Sequence, residues 1–233
     1  MRVRVMRRAL MVFAKKPVPG RVKTRLTPPL SPEEAAELYR RMLLDTLAKT
    51  GQITGIHRLL FHECGEGARD YFVSVDPGAT IIAQEGADLG ERLANAFRTA
   101  FDRGYGEVAV IGTDAPHVPR PWIEGAYDAL ADAAVDVVFG PSGDGGYYLL
   151  GMKRLHESLF TAIPWSTGEV LACSRQRAAA AGLRTVLLQL WHDVDTAEDL
   201  RRPELVDPAN GAPLTREFMV RQPLHSPVAP SGR

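Results

Sequence analysis

Cysteine is nearly missing: Cys64 and Cys173 are the only two in 233 residues, and no short motif pairs them. That excludes a disulfide framework and a thiolate metal centre, and it favours a reducing compartment, so the cytoplasm is the expected location. Net charge is missing as well, with 28 Lys+Arg against 28 Asp+Glu. Without an overall basic field, nucleic acid is not an expected partner. Long apolar runs are absent too. Arg2, Arg4, Arg7 and Arg8 resemble the start of an export signal, but the run from Ala9 to Ala14 is too short and meets Lys15 and Lys16. It reads better as a first strand, and no segment is long enough to span a bilayer. What is there is a 45% hydrophobic chain, able to bury the core of one large α/β domain.

The stretch Val108-Ala109-Val110-Ile111-Gly112-Thr113-Asp114-Ala115-Pro116 organises this reading. Its first four residues are too few for a helix and suit a strand covered on both faces, as in a parallel sheet. Pro116 stops the strand, which leaves Asp114 at a strand tip, where open α/β sheets bind ligands. Asp114 would serve equally to cap the following turn.

After the first strand comes a basic loop in which Lys15, Lys16, Arg21, Lys23 and Arg25 occur without an acid between them. Such a loop repels itself unless a polyanion relieves it. Arg supplies a planar fork and Lys a point charge, a mixture suited to a di- or triphosphate. A solvated basic loop is the plain alternative.

Ser31-Pro32-Glu33-Glu34 predicts a helix with a capping box, running to about Thr50. Strands are expected over Ile56 to Phe61, Thr80 to Gln84, Val135 to Gly140 and Thr185 to Leu190, with helices from about Glu66, Leu89, Pro121 and Glu169. Asp88 is placed either to cap the helix from Leu89 or to meet substrate. The loop Pro141-Ser142-Gly143-Asp144-Gly145-Gly146 before Tyr147 lets backbone approach a ligand, and it is also a strong hairpin turn. His57 and His62 read as structural. Asp193 and Asp195 alternate along an extended segment, so both side chains can share one face and, with Asp114, hold a divalent cation through oxygen. Capping of a last helix is the other role open to Asp195. From Pro203 on, scattered prolines without periodicity predict a loosely ordered tail over 203–233, behind a single domain over 1–202.

Six motifs in order, F-A-K-K-P-V-P-G-R-V-K-T-R-L, G-A-D-L-G-E-R-L, G-T-D-A-P, G-P-S-G-D-G-G-Y-Y-L-L-G, P-W-S-T and D-V-D-T-A-E-D-L, resemble a bacterial family of GT-A-type transferases. That family is associated with radical-SAM and selenium-domain proteins, within the nucleotide-diphospho-sugar transferase superfamily. The segments Lys23-Thr24-Arg25-Leu26 and Asp193-Val194-Asp195-Thr196 are also similar to 2-phospho-lactate guanylyltransferases. The resemblance implies a three-layer α/β/α sandwich around a mostly parallel sheet, with a nucleotide over its strand tips. It implies that Lys15, Lys16, Arg21, Lys23 and Arg25, with Gly112 and Thr113, face phosphates. It further implies that Asp114, Asp193 and Asp195 flank Mg²⁺ or Mn²⁺, and that Asp144, Gly145, Gly146 and Tyr147, with Asp88, Trp165 and Ser166, line the substrate pocket. Two departures stand out: Gly112-Thr113-Asp114 holds one acid where sugar transferases of this fold carry Asp-x-Asp, and Pro17, Pro19 and Gly20 replace a Gly-rich loop.

The first expectation is a metal-dependent glycosyltransferase moving a sugar from a nucleotide diphosphate to a small acceptor. The metal held by Asp114, with Lys23 and Arg25, would stabilise the leaving diphosphate, with Asp144, or less favourably His117, as general base. The alternative is nucleotidyl transfer from a nucleoside triphosphate to a phosphorylated small molecule, releasing pyrophosphate. A non-catalytic nucleotide-binding subunit is the third possibility. Oligomeric state is not readable.

Overall fold

The computed structural model describes residues 6–221. Seven strands form one sheet in the order β3-β2-β1-β4-β6-β5-β7: β1 is Arg8–Ala14, β2 Ile56–His62, β3 Thr80–Ala83, β4 Glu107–Ile111, β5 Val137–Pro141, β6 Tyr147–Met152 and β7 Thr185–Leu187. Only β6 runs antiparallel, between β4 and β5. Helices α1 (Pro32–Gly51), α2 (Ala68–Val75), α3 (Leu89–Asp102), α4 (Arg120–Ala131), α5 (Val170–Ala180) and α6 (Pro213–Arg221) surround it. The fold is the expected α/β sandwich.

Alternation along the strands divides the core in two. Leu10 and Val12 of β1 join Leu43 and Leu47 of α1 and Ile123 and Tyr127 of α4 on one face. Ala9 and Met11 join Leu93, Phe97 and Ala100 of α3 and Ala178 of α5 on the other. β4 is buried along its whole length: Val108 to Ile111 are apolar, as suits a strand covered on both faces, and Glu107 is paired with Arg8 at 2.7 Å. The Ser31 hydroxyl accepts from Glu34 N and the Glu34 carboxylate accepts from Ser31 N, closing the capping box that starts α1.

Two expectations need correcting. The last strand stops at Leu187 rather than Leu190. The chain then follows β5 irregularly, through Leu188 N to Phe139 O at 2.8 Å and Trp191 N to Pro141 O at 3.0 Å. Nor are residues 203–221 a loose tail. They form short 3-10 turns and α6, which covers the outer side of α1 by packing Phe218, Met219 and Leu205 on Leu38, Met42 and Leu26. The prolines that suggested disorder instead start these elements: Pro203 and Pro208 open 3-10 turns and Pro213 opens α6, as suits a residue with fixed φ and no N–H. The prolines at 223, 227 and 230 lie outside the described residues.

Candidate functional site

A cleft of about 570 Å³ opens at the carboxyl ends of β1, β3 and β4 and is lined, among others, by Lys15, Arg21, Lys23, Arg25, Asp114 and Asp195. It lies where a mostly parallel sheet leaves strand tips unfilled. Its floor is set by the backbone: Val194 N donates to Asp114 O at 2.9 Å, which docks the Asp193-Val194-Asp195 segment against the turn after β4. Val194 is fully buried, and of its two neighbours Asp195 lines the cleft while Asp193, expected beside it, does not.

Lys23 fastens these pieces together. Its ammonium donates to Asp114 and, at 2.7 Å, to Asp195, with only 4% of its side chain exposed. A backbone φ of 49° at Lys23, unusual for a residue with a Cβ, turns this lysine inward while its neighbours Arg21 and Arg25 stay exposed. Burial disfavours its charge, but the Asp114 and Asp195 carboxylates outweigh that and hold the ammonium above the ordinary lysine value. Asp195 is free to pair because Asp199 does the capping: the Asp199 carboxylate accepts from Asp195 N at 3.1 Å and Thr196 N at 2.8 Å.

Asp193 has a different environment. It accepts a hydrogen bond from the Ser142 hydroxyl at 2.9 Å. Burial, followed by the neighbouring Asp114 and Asp144 charges, pushes its carboxyl up to about 7. Among the described residues no group of three or more His, Cys, Asp or Glu side chains is placed to hold a metal ion, and the Lys23 ammonium stands between Asp114 and Asp195. The proton has a consequence for stability. Between the ordinary value of 3.8 and about 7, folded Asp193 keeps a proton that the unfolded chain has lost, so metal-free protein should lose stability as pH rises through that window. Asp193→Asn, which retains an acceptor for Ser142, should flatten this dependence in denaturant unfolding at about pH 5 and about pH 8. An equal slope in wild type and variant would show that Asp193 titrates normally.

Beneath the cleft, the buried Tyr39 hydroxyl of α1 accepts from Lys15 N at 2.8 Å and from the Thr113 hydroxyl at 2.9 Å. It thereby ties the tip of β1 to the tip of β4. Burial, then the Asp114 charge, raises its phenol to about 12, so it stays a neutral donor and acceptor. A tyrosine within an amphipathic helix carries no sequence signal for this role, and Ser142 was hidden in the same way within a turn motif.

Residues 46–167 match the family model described as "Uncharacterized protein conserved in bacteria (DUF2064)". A 2-phospho-L-lactate guanylyltransferase of Methanothermobacter thermautotrophicus (strain Delta H) is 31% identical over 182 residues, with 76% of each chain covered. The chain belongs to the DUF2064 family. Among solved structures it is similar to a candidate nucleotide-diphospho-sugar transferase from Desulfovibrio desulfuricans G20, with 29% identity, a TM-score of 0.79, and 91% of this chain and 98% of that one covered. A cytidylyltransferase from Leptospira borgpetersenii serovar Hardjo-bovis shares the fold at 10% identity, with a TM-score of 0.57 and coverage of 92% and 94%. This DUF2064 protein is a transferase, as those relatives are.

Within that frame, the cleft gathers Lys15, Arg21, Lys23, Arg25, Gly112, Thr113, Asp114, Tyr147, Ser166 and Asp195 along one wall or another. Other expected residues have structural tasks. Lys16 turns away to donate to Glu66 O at 3.1 Å. Asp88 caps α3 by accepting from Glu91 N at 2.9 Å. Trp165 packs on Gly90, where a Cβ would meet its indole nitrogen at 2.6 Å. Gly145, at a φ of +87°, lies so close to Gly168 that a Cβ would overlap its carbonyl; it joins the turn after β5 to the start of α5, with Leu171 N donating to Gly145 O at 2.9 Å. Asp144 ties itself to Gly146 N at 2.9 Å as a turn cap and reaches the acid cluster through its charge on Asp193. His117 is buried outside the cleft wall, with both ring nitrogens unpartnered, and burial lowers it to about 3. No helix among the described residues is long and apolar enough to cross a membrane.

Proposed function

We propose that this DUF2064 protein is a nucleotidyltransferase that joins a nucleoside triphosphate to a small phosphorylated acid and releases pyrophosphate. The observation that carries this reading is the pair of cleft arginines, Arg21 and Arg25, which have no carboxylate partner among the described residues. Unpaired, exposed guanidinium groups beside Lys15 are matched by a run of phosphates. The relationship to a 2-phospho-L-lactate guanylyltransferase supports a guanine nucleotide as donor and a phosphorylated hydroxy acid as the class of acceptor.

In the reaction, an oxygen of the acceptor phosphate attacks the α-phosphorus. The bond from that phosphorus to the bridging oxygen breaks, and pyrophosphate leaves with the electron pair. The attacking phosphate is already largely ionised near neutral pH, so no base need remove a proton. That suits a cleft in which His117 is buried away and Asp144 caps a turn. Lys15, Arg21 and Arg25 would bind the triphosphate and neutralise charge that accumulates on the departing pyrophosphate. A divalent cation carried in by the triphosphate would meet Asp114 and Asp195, the two acids on the cleft wall, and would supply further charge neutralisation on the phosphates. Lys23 keeps Asp114 and Asp195 together from the loop side.

Sugar transfer from a nucleotide diphosphate is the second reading, favoured by the likeness to the Desulfovibrio structure. A pyrophosphate assay with Mg²⁺, each nucleoside triphosphate and a series of phosphorylated hydroxy acids separates the two. Pyrophosphate that appears only when both substrates are present supports nucleotidyl transfer; nucleoside diphosphate released from a nucleotide-sugar, with no pyrophosphate from any triphosphate, establishes the other.

A further inference from the structure

The part of the cleft wall that follows β3 has a different chemistry from the acids. Gln84, at the tip of β3, lines it together with Phe13, Leu89, Leu93 and Arg92. Gln84 continues the strand pairing through its backbone, with its N–H donating to His62 O at 2.8 Å. Its side-chain amide donates from Nε2 to Phe61 O at 2.9 Å. A backbone carbonyl can only accept, so this bond fixes which way the amide faces: nitrogen toward Phe61, Oε1 away from it. Among the described residues Oε1 has no donor, and it is not one of the sealed-off polar atoms of the interior. The strand tip thus presents an oriented acceptor at the cleft wall.

Next to it stands an unmet apolar surface. Leu89, the first residue of α3, is 43% exposed although it lines the cleft, while Leu93 one turn on is buried. Arg92 closes the same end, held by Gly86 O at 3.2 Å and Glu63 at 3.4 Å. An acceptor at one edge and an apolar side chain across the adjoining face describe a receptor for a flat heterocycle with N–H groups on its rim.

We infer that Gln84 reads the nucleobase, with its Oε1 accepting from the base edge while Leu89 covers the ring face, and that this arrangement selects guanine. A carbonyl oxygen has two lone pairs. Guanine sets two donors side by side, the N1–H and the 2-amino group, and can direct both at one oxygen; adenine, cytosine and uracil each bring one donor to such a point. The inference rests on the reading of the cleft as a nucleotide site and adds the residue that determines which nucleotide enters.

Inosine triphosphate is the discriminating probe, because it keeps N1–H and lacks the 2-amino group. Calorimetric titrations of wild type, Gln84→Met and Leu89→Ser with GTP and with ITP, both with Mg²⁺ and without acceptor, test the assignment. Wild type should prefer GTP over ITP by roughly tenfold. Gln84→Met should weaken both nucleotides, GTP more than ITP because GTP alone also loses the 2-amino bond, and so remove that preference. Leu89→Ser, at an exposed position, should weaken both nucleotides by a similar factor and keep their ratio. Melting of the ligand-free variants shows that each is folded. A wild type that binds both equally, or a Gln84→Met variant that retains the preference for GTP, overturns the role of Gln84 while leaving the nucleotide site standing. Failure of wild type to bind any nucleoside triphosphate overturns the underlying reading, and this assignment with it.

Discussion

Replacing Lys23 with methionine should cost about 1–3 kcal/mol of folding stability and lower transfer activity at least hundredfold, on the order expected for a lost electrostatic contact in a reaction site. The stability loss arises because the only cation bonded to Asp114 and Asp195 among the described residues disappears. The figure is below that for a fully buried pair because the two aspartate side chains are 46% and 38% exposed, so water takes up part of the charge. The activity loss follows because the ammonium no longer offsets the Asp114 and Asp195 charges beside the bound phosphates. A second effect distinguishes this account from simple damage. With the ammonium gone, Mg²⁺ should raise the melting temperature of Lys23→Met more than that of wild type, since the ion no longer competes with Lys23 for the same two carboxylates. A variant that melts like wild type and gains nothing from Mg²⁺ would show that Lys23 is an incidental surface pair.

Asp45→Ala should be nearly as costly, at about 2–4 kcal/mol. Asp45, on α1, is 3% exposed and is not part of the cleft wall. Its carboxylate accepts from Leu214 N at 3.2 Å, Thr215 N at 2.7 Å and the Thr215 hydroxyl at 2.8 Å. It therefore caps the first turn of α6 from another helix, satisfying N–H groups that have no partner in their own element. Removing it strands three donors and loosens the seat of Phe218 and Met219 on α1. Truncation before Pro213 should cost more still, because Leu38 and Met42 lose their apolar cover. Both effects are read from the midpoint of denaturant unfolding at constant slope. An unchanged midpoint after truncation would mean that the fold is complete without α6, as a disordered tail would allow.

That contrast shows where sequence reasoning reached and where it stopped. The strands were legible because a sheet covered on both faces writes itself as short Val- and Ile-rich runs, as in Val108 to Ile111. The start of α1 was legible because capping is local: Ser31, Pro32 and Glu34 sit within one turn. Asp114 and the basic loop could be singled out because polar residues at strand tips break the apolar pattern, and Asp195 because it alternates with Asp193. The inward turn of Lys23 was not legible, since it depends on one backbone angle and on two partners, one of them 172 residues away. Tyr39 and Asp45 were hidden for the same reason, being tertiary contacts made from positions that look like ordinary helix. The C-terminal prolines misled because a proline ends regular structure and begins it with equal ease, and only the packing of Phe218 and Met219 decides between the two.

The most direct test of the central claim is calorimetry of wild-type protein with GTP and with a GDP-sugar, each in the presence of Mg²⁺ and at low and moderate salt. Nucleotidyl transfer predicts that GTP binds at least tenfold more tightly than the GDP-sugar, and that Arg25→Ala removes most of this advantage and its salt dependence. Tight binding of the GDP-sugar with weak or absent binding of GTP would contradict it.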